Sequence, residues 1–196
     1  MKRYIKVSII GILFIAIVSY FYIDRALALY FASNPCCIKS FLSSFSDFGL
    51  SEYYLIPSLL IAVIFYKSKD YISKRAFYIF ATTALSGIIV IVIKVIFARY
   101  RPPKFINEEL YGFNWFDFGY IINSFPSGHS ATAFSVYVAL SLLIPKFKWF
   151  FLIFATLIAL SRVALGVHYL SDVLIGSLIG ATISLFLYRL FFGERA

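Results

Sequence analysis

Charge is scarce in this chain. Lys, Arg, Asp and Glu make up 14% of its 196 residues, against roughly a quarter in a soluble domain, too few to cover a water-facing surface. Histidine and cysteine are rarer still, two of each. Cys36 and Cys37 are adjacent, which suits neither a metal-ligand spacing nor an ordinary disulfide geometry; they read as two small apolar loop residues. Repeats, low-complexity tracts and linkers are missing as well, and the length leaves no room for a second folded domain. We therefore expect one membrane-embedded domain over residues 1–196. What the chain has in excess is apolar: 62% hydrophobic residues, with 23 Phe and 15 Tyr, and a mean hydropathy of +0.89. These residues come in long blocks rather than at amphipathic spacing. A helix of about 20 apolar residues crosses the roughly 30 Å hydrocarbon layer, where a segment must satisfy its own backbone polar groups. The expected fold is an all-α integral membrane bundle.

Six helices are expected, over about Ile5–Ile23, Tyr53–Tyr66, Phe77–Phe97, Ser127–Ile144, Trp149–Gly166 and Leu170–Phe192. Asp24 and Arg25 are read as the end of the first, Pro145 as the stop of the fourth, and the mixed stretch 26–50 as lying along the interface. The first block resembles a signal peptide, but it is long and no A-x-A site follows, so it is read as retained. Gly176 and Gly180 form a G-x-x-x-G pair, a weak signal for close helix packing. The formal charge of +9 does not make a nucleic-acid patch, because the basic residues sit in short clusters between apolar blocks. Eleven fall on the side of the termini and seven on the other, which by the positive-inside rule puts both termini in the cytoplasm.

Three segments carry polar residues that a membrane helix does not need, and on this map all lie at outer helix ends. In residues 94–102, KVIFARYRP, Lys94 falls in the last turn of an apolar helix, where a buried ammonium costs about 2.5–3.5 kcal/mol. Arg101 follows seven residues later, two turns on and on nearly the same face, before Pro102 and Pro103 forbid more helix. In residues 125–134, FPSGHSATAF, Ser127 is a candidate N-cap, Gly128 admits close backbone approach, and His129 lies in the first turn of a helix whose free N–H groups favour an anion. In residues 161–172, SRVALGVHYLSD, His168 and Asp172 are spaced i,i+4, as a carboxylate that orients an imidazole would be. Arg162 adds a planar fork suited to phosphate oxygens. Each segment has a plainer account: snorkelling cations, an ordinary capped helix, a structural ion pair. Their convergence, with both histidines of the chain among them, points instead to one site. Two histidines and an aspartate could hold zinc, but three cations would repel a metal and attract a polyanion.

Together the segments resemble the signature of the type 2 phosphatidic acid phosphatase (PAP2) superfamily, K-x6-RP, PSGH and SR-x5-H-x3-D. They match at Lys94 to Arg101–Pro102, at Pro126–Ser127–Gly128–His129, and at Ser161–Arg162, His168 and Asp172. The membrane context is similar to the lipid phosphatase branch rather than to the soluble vanadate haloperoxidases. The resemblance implies that His168 attacks phosphorus to form a phosphohistidine, that Asp172 orients it, and that His129 is the general acid. Lys94, Arg101, Arg162, Ser127 and the Gly128 backbone would hold the phosphate oxygens, with no metal or other cofactor. The expected substrate is a lipid phosphate or pyrophosphate among membrane lipids: phosphatidic acid, phosphatidylglycerol phosphate, undecaprenyl pyrophosphate or a lipid A phosphate. The expected setting is a bacterial inner (plasma) membrane, with the site facing the periplasm or exterior. A lipid phosphotransferase, or a lipid-phosphate binder or transporter on the same fold, is the alternative. Residues 103–125 are expected at the entrance, with Glu108, Glu109 and Asp117 as solvated loop charges. Oligomeric state leaves no mark on the sequence.

Overall fold

The apolar blocks become helices, and the helices bury small residues while turning large ones outward. The computed structural model of the protein describes residues 2–34, 37–117 and 119–193, with side chains from residue 7 onward and without that of Tyr120. Cys36 and Arg195 lie outside the described residues, as do the side chains of Lys2, Arg3 and Lys6. Nine α-helices run in order among those described: α1 (Lys2–Val18), α2 (Asp24–Ser33), α3 (Lys39–Ser46), α4 (Glu52–Ile64), α5 (Asp70–Phe97), α6 (Pro102–Glu108), α7 (Gly128–Leu143), α8 (Lys148–Ala164) and α9 (Leu170–Phe192). Among the described residues, five helical spans are long and apolar enough to cross a membrane: Val7–Ser33, Lys39–Ile64, Asp70–Phe97, Pro145–Ala164 and Leu170–Phe192. The shorter apolar α7 is the sixth crossing element. Among the described residues the only β pairing is an isolated bridge between Arg99 and Phe113.

α7 is the axis of the bundle, packed against α5, α8 and α9. Its sequence suits that place: Ala131, Ala133, Ser135, Val136 and Ala139 are all buried, and small side chains let helices approach closely. The closest approach is to α9. A Cβ on Gly176 would lie 2.4 Å from the Ser127 carbonyl oxygen, and one on Gly180 2.2 Å from that of Ala131. The G-x-x-x-G pair is therefore a packing face. Hydroxyl groups tie helices across the bundle, with Tyr78 of α5 donating to the Ser184 carbonyl of α9 at 2.9 Å and Tyr54 of α4 meeting Tyr137 of α7 at 2.8 Å. Large apolar side chains such as Phe14, Val63, Ile64, Ile91 and Phe186 stay exposed. In water that surface would drive association; in a bilayer it is the lipid-facing coat. The protein is an integral membrane protein of helices.

Three expectations about boundaries need correction. Asp24 and Arg25 do not end the first helix. A π-helical turn over Ser19–Ile23, closed by Asp24 N–H bonding to Ser19 O, joins α1 to α2 without a break. Asp24 is tolerated there because it is buried among donors, described below. Residues 26–50 are consequently not a surface strap: they contain the rest of α2, all of α3 and a 3-10 turn at Asp47–Gly49 that leads toward α4. Finally, α5 begins at Asp70 rather than near Phe77. An acid at a helix start favours the dipole, and the basic residues nearby lie over rings instead of breaking the helix, Lys69 over Phe65 and Arg75 over Tyr71. The sixth expected helix, Leu170–Phe192, is found with those ends.

Candidate active site

The C-terminal ends of α5 and α8 and the N-terminal ends of α7 and α9 meet at one end of the bundle. Where α5 stops, Ala98 takes a left-handed conformation (φ 42°) as its C-cap. The chain then runs extended through Arg101 into α6. Lys94 and Arg101 thus do not share a helical face, as their spacing suggested, because the helix ends between them. They converge by another route, both donating to the Asn123 carbonyl, Lys94 Nζ at 2.5 Å and Arg101 Nη2 at 3.4 Å. Arg101 also donates to Val167 O at 3.2 Å, directly before His168.

Ser127 caps α7 as its residue type predicts, its Oγ accepting from Ser130 N and Ser130 Oγ. Its own N–H donates to the Asp172 carbonyl at 3.0 Å, which fixes the start of α7 on the start of α9. His129 follows in the first turn, half-buried, and the charges of Arg162, Arg101 and Lys94 all reach its ring. Arg162, in the last turn of α8, donates to Ser46 Oγ at 2.8 Å. Beside it Gly49 presses on His129, where a Cβ would lie 3.0 Å from both His129 Cβ and its carbonyl oxygen. Neither Ser46 nor Gly49 stood out in the sequence, since both sit in what read as an interfacial strap.

His168 and Asp172 are not on one helical face either. α9 starts at Leu170, so His168 precedes the N-cap Tyr169 and Asp172 is the third helical residue. The i,i+4 spacing still brings them close, with Nδ1 3.7 Å from Asp172 Oδ2. Between them sits Ser124, missed by the sequence reading: its Oγ donates to Asp172 Oδ2 at 2.6 Å and lies 3.5 Å from His168 Nδ1. Asp172 Oδ2 also accepts from Tyr169 N at 3.0 Å, half of a capping box. Burial pushes the His168 imidazole down to about 3, with the Arg101 and Lys94 charges adding to the effect and Asp172 opposing it. A neutral ring whose Nδ1 faces Asp172 and Ser124 keeps Nε2 for chemistry.

The second surprise is Arg99, which counted only as an outer-side topology charge. It is fully buried, bonded to Asp172 through Nη1 and to Asp24 through Nη2 at 2.9 Å. An unexplained cation two residues from Arg101 was its only sequence signal; for Asp24 it was an acid within a long apolar run, which inside a membrane calls for a partner. Of the expected entrance charges, Glu108 pairs with Lys104 at 2.6 Å, Asp117 accepts from Asn114 at 2.6 Å, and Glu109 caps α6.

A scan of family models matches residues 75–196 to the PAP2 superfamily. The chain belongs to that superfamily. Similar relatives include the lipid A 1-phosphatase of Rhizobium etli, 29% identical over 169 residues that cover 79% of this chain and 72% of that one. The undecaprenyl-diphosphatase of Sulfolobus acidocaldarius is 33% identical over 144 residues, covering 68% and 61%. Among solved structures, the transmembrane PAP2-type phosphatidylglycerolphosphate phosphatase from Bacillus subtilis superposes with a TM-score of 0.64 at 19% identity, covering 93% of this chain and 94% of that one. That likeness establishes the PAP2 fold. All the motif residues fall inside the matched segment, whereas Asp24, Ser46 and Gly49 lie before it.

Proposed function

We propose that this protein is a membrane lipid phosphatase that cleaves a phosphate monoester or pyrophosphate of a lipid through a phosphohistidine at His168. The reading is supported above all by one observation: a buried imidazole, backed by Ser124 and Asp172, lies within reach of the charges of Lys94 and Arg101. The relatives named for lipid A, undecaprenyl diphosphate and phosphatidylglycerolphosphate support the lipid phosphate class.

In the first step His168 Nε2 attacks phosphorus while the bond to the lipid oxygen breaks. His129 gives its proton to that oxygen, so the lipid leaves as an alcohol, or as a monophosphate when the substrate is a pyrophosphate. Lys94, Arg101, Arg162 and the start of α7 take up the charge on the equatorial oxygens. In the second step water attacks the phosphohistidine, His129 accepts its proton, and inorganic phosphate leaves with His168 restored. The whole chain acts as one unit, with both termini in the cytoplasm and the site at the outer face of the plasma membrane, as the distribution of basic residues favours.

The test is phosphate release in detergent micelles from four lipids: phosphatidic acid, phosphatidylglycerol phosphate, undecaprenyl pyrophosphate and a lipid A phosphate. His168→Ala should abolish release while leaving membrane insertion intact, and labelled phosphate should be trapped on wild-type His168 in an alkaline quench. Release from none of the four, or full activity in His168→Ala, would overturn the proposal. A lipid acceptor that outcompetes water would make the protein a phosphotransferase.

A further inference from the structure

The superfamily match begins at residue 75, yet a carboxylate from the first membrane helix reaches the group that backs the nucleophile. Asp24 is 1% exposed, and each of its oxygens has defined donors. Oδ1 accepts from Ser19 Oγ at 2.7 Å and from Ser171 N at 3.1 Å. Oδ2 accepts from Arg99 Nη2 at 2.9 Å and from Ser171 Oγ. The π turn at Ser19–Ile23 aims Asp24 inward, and such turns recur at functional sites. Arg99 spans the gap: Nη1 bonds Asp172 and, at 2.7 Å, Ser171 Oγ, while Nη2 bonds Asp24 and, at 2.9 Å, Tyr111 OH. Tyr111 in turn donates to Tyr20 O. The guanidinium lies 4.2 Å from the Tyr169 ring centre, 4.8 Å from that of Tyr20 and 5.2 Å from that of Tyr111, and it is fully buried. Burial works against its charge, but Asp172, Tyr111 and Asp24 outweigh burial and push its pKa up.

We infer that Asp24 and Arg99 are positioning residues for the proposed nucleophile, forming a buried chain Asp24–Arg99–Asp172 behind His168. The charges explain why two acids are needed. Attack by Nε2 leaves the ring cationic, and Asp172 steadies that charge only while its own is not cancelled. Arg99 alone would fix the carboxylate in place and neutralise it. Asp24 takes up the charge of Arg99, so the three groups keep a net charge of −1 facing the ring. Geometry comes from Arg99, and the surviving negative charge from Asp24. The first helix, outside the family match, thereby becomes part of the catalytic apparatus.

This inference rests on the His168 reading, and the experiment separates the two. Asp24→Asn and Arg99→Lys are purified beside wild type and His168→Ala and assayed on whichever lipid of the panel wild type turns over fastest. Asp24→Asn keeps the shape and removes the charge; Arg99→Lys keeps the charge and removes the fork. Each should lower kcat by about 10- to 100-fold, the scale set by losing the outer partner of a metal-bound imidazole, with KM within about twofold because the phosphate-holding cations are untouched. The steady-state yield of alkali-stable phosphohistidine should fall in parallel. A purely structural role would lower yield and melting temperature and leave kcat per folded molecule unchanged, which would overturn the inference. If Asp24→Asn does not fold, Ser19→Ala removes a single donor from Oδ1; it should lower kcat several-fold at unchanged KM, and wild-type kcat in it would overturn the inference equally. Wild-type kcat in these variants with His168→Ala inactive sinks the relay alone, whereas an active His168→Ala sinks the underlying reading.

Discussion

Replacing Gly176 with alanine tests whether the contact between α7 and α9 sets the geometry of the site. The new Cβ would stand 2.4 Å from Ser127 O and 3.3 Å from both Ser127 C and Ser127 N. Carbon–oxygen contacts settle at about 3.3–3.6 Å. The neighbour is backbone that cannot swing aside, so the two helices must part by about 1 Å. Forced repacking of this kind costs about 1–3 kcal/mol of stability. The same displacement pulls on the bond from Ser127 N to Asp172 O, and a misplacement of about 1 Å in a reacting constellation costs roughly 100-fold in rate. Gly180→Ala is the internal control: its Cβ meets Ala131 O at 2.2 Å and Ser135 N at 2.7 Å, a tighter clash one turn farther from the site. Both variants should melt earlier in detergent, and phosphate release per folded molecule should fall about 100-fold in Gly176→Ala but far less in Gly180→Ala. Wild-type melting and wild-type kcat in Gly176→Ala, or a larger loss of rate in Gly180→Ala, would refute the reasoning.

Acid should destabilise the substrate-free protein through His168. The unfolded chain takes a proton near 6.5 that the folded ring refuses until about 3, so stability is full above 6.5 and drains as pH falls through that window. The loss approaches 1.4 kcal/mol per pH unit, an order-of-magnitude slope of about one proton. Melting curves from pH 7.5 to pH 4.5 should show that slope flattened in His168→Asn; identical slopes would disprove it. Vanadate, which adopts the five-coordinate shape of phosphoryl transfer, should inhibit phosphate release, and a chelator should leave it unchanged; strong chelator inhibition would transfer the charge stabilisation from the three cations to a metal.

Much of the bundle was legible because hydropathy reports burial in lipid directly. α9 runs over its expected residues, and Pro145 stops α7 as its missing N–H dictates. Errors clustered where charge sits inside an apolar run. Asp24 read as a helix end because hydropathy treats every acid as a demand for water, while this one is met by two serines and an arginine. The motif residues were legible from type and order, yet their helical faces were not. Lys94 with Arg101, and His168 with Asp172, each straddle a helix end. Ser124, Arg99, Ser46 and Gly49 meet partners distant in the chain, and a linear spacing carries no trace of such contacts. Cys37 is an exposed free thiol, in keeping with an ordinary loop residue.

The widened turn at Ser19–Ile23 makes the register of the first helix a chemical variable. The π turn takes up one residue more than a regular turn, in which each residue advances the side chain by about 100°. Rewinding these residues into regular helix would swing the Asp24 carboxylate toward lipid, whereas deleting one of them would straighten the helix and keep the carboxylate's direction. An added residue there would turn the carboxylate away by about 100°. Residues preceding Ser19 are bound in another way, through the packing of α1 against α9, where Ala16 is buried. Tolerance to a change of length should therefore be one-sided at this turn, a residue removed being borne and a residue added not.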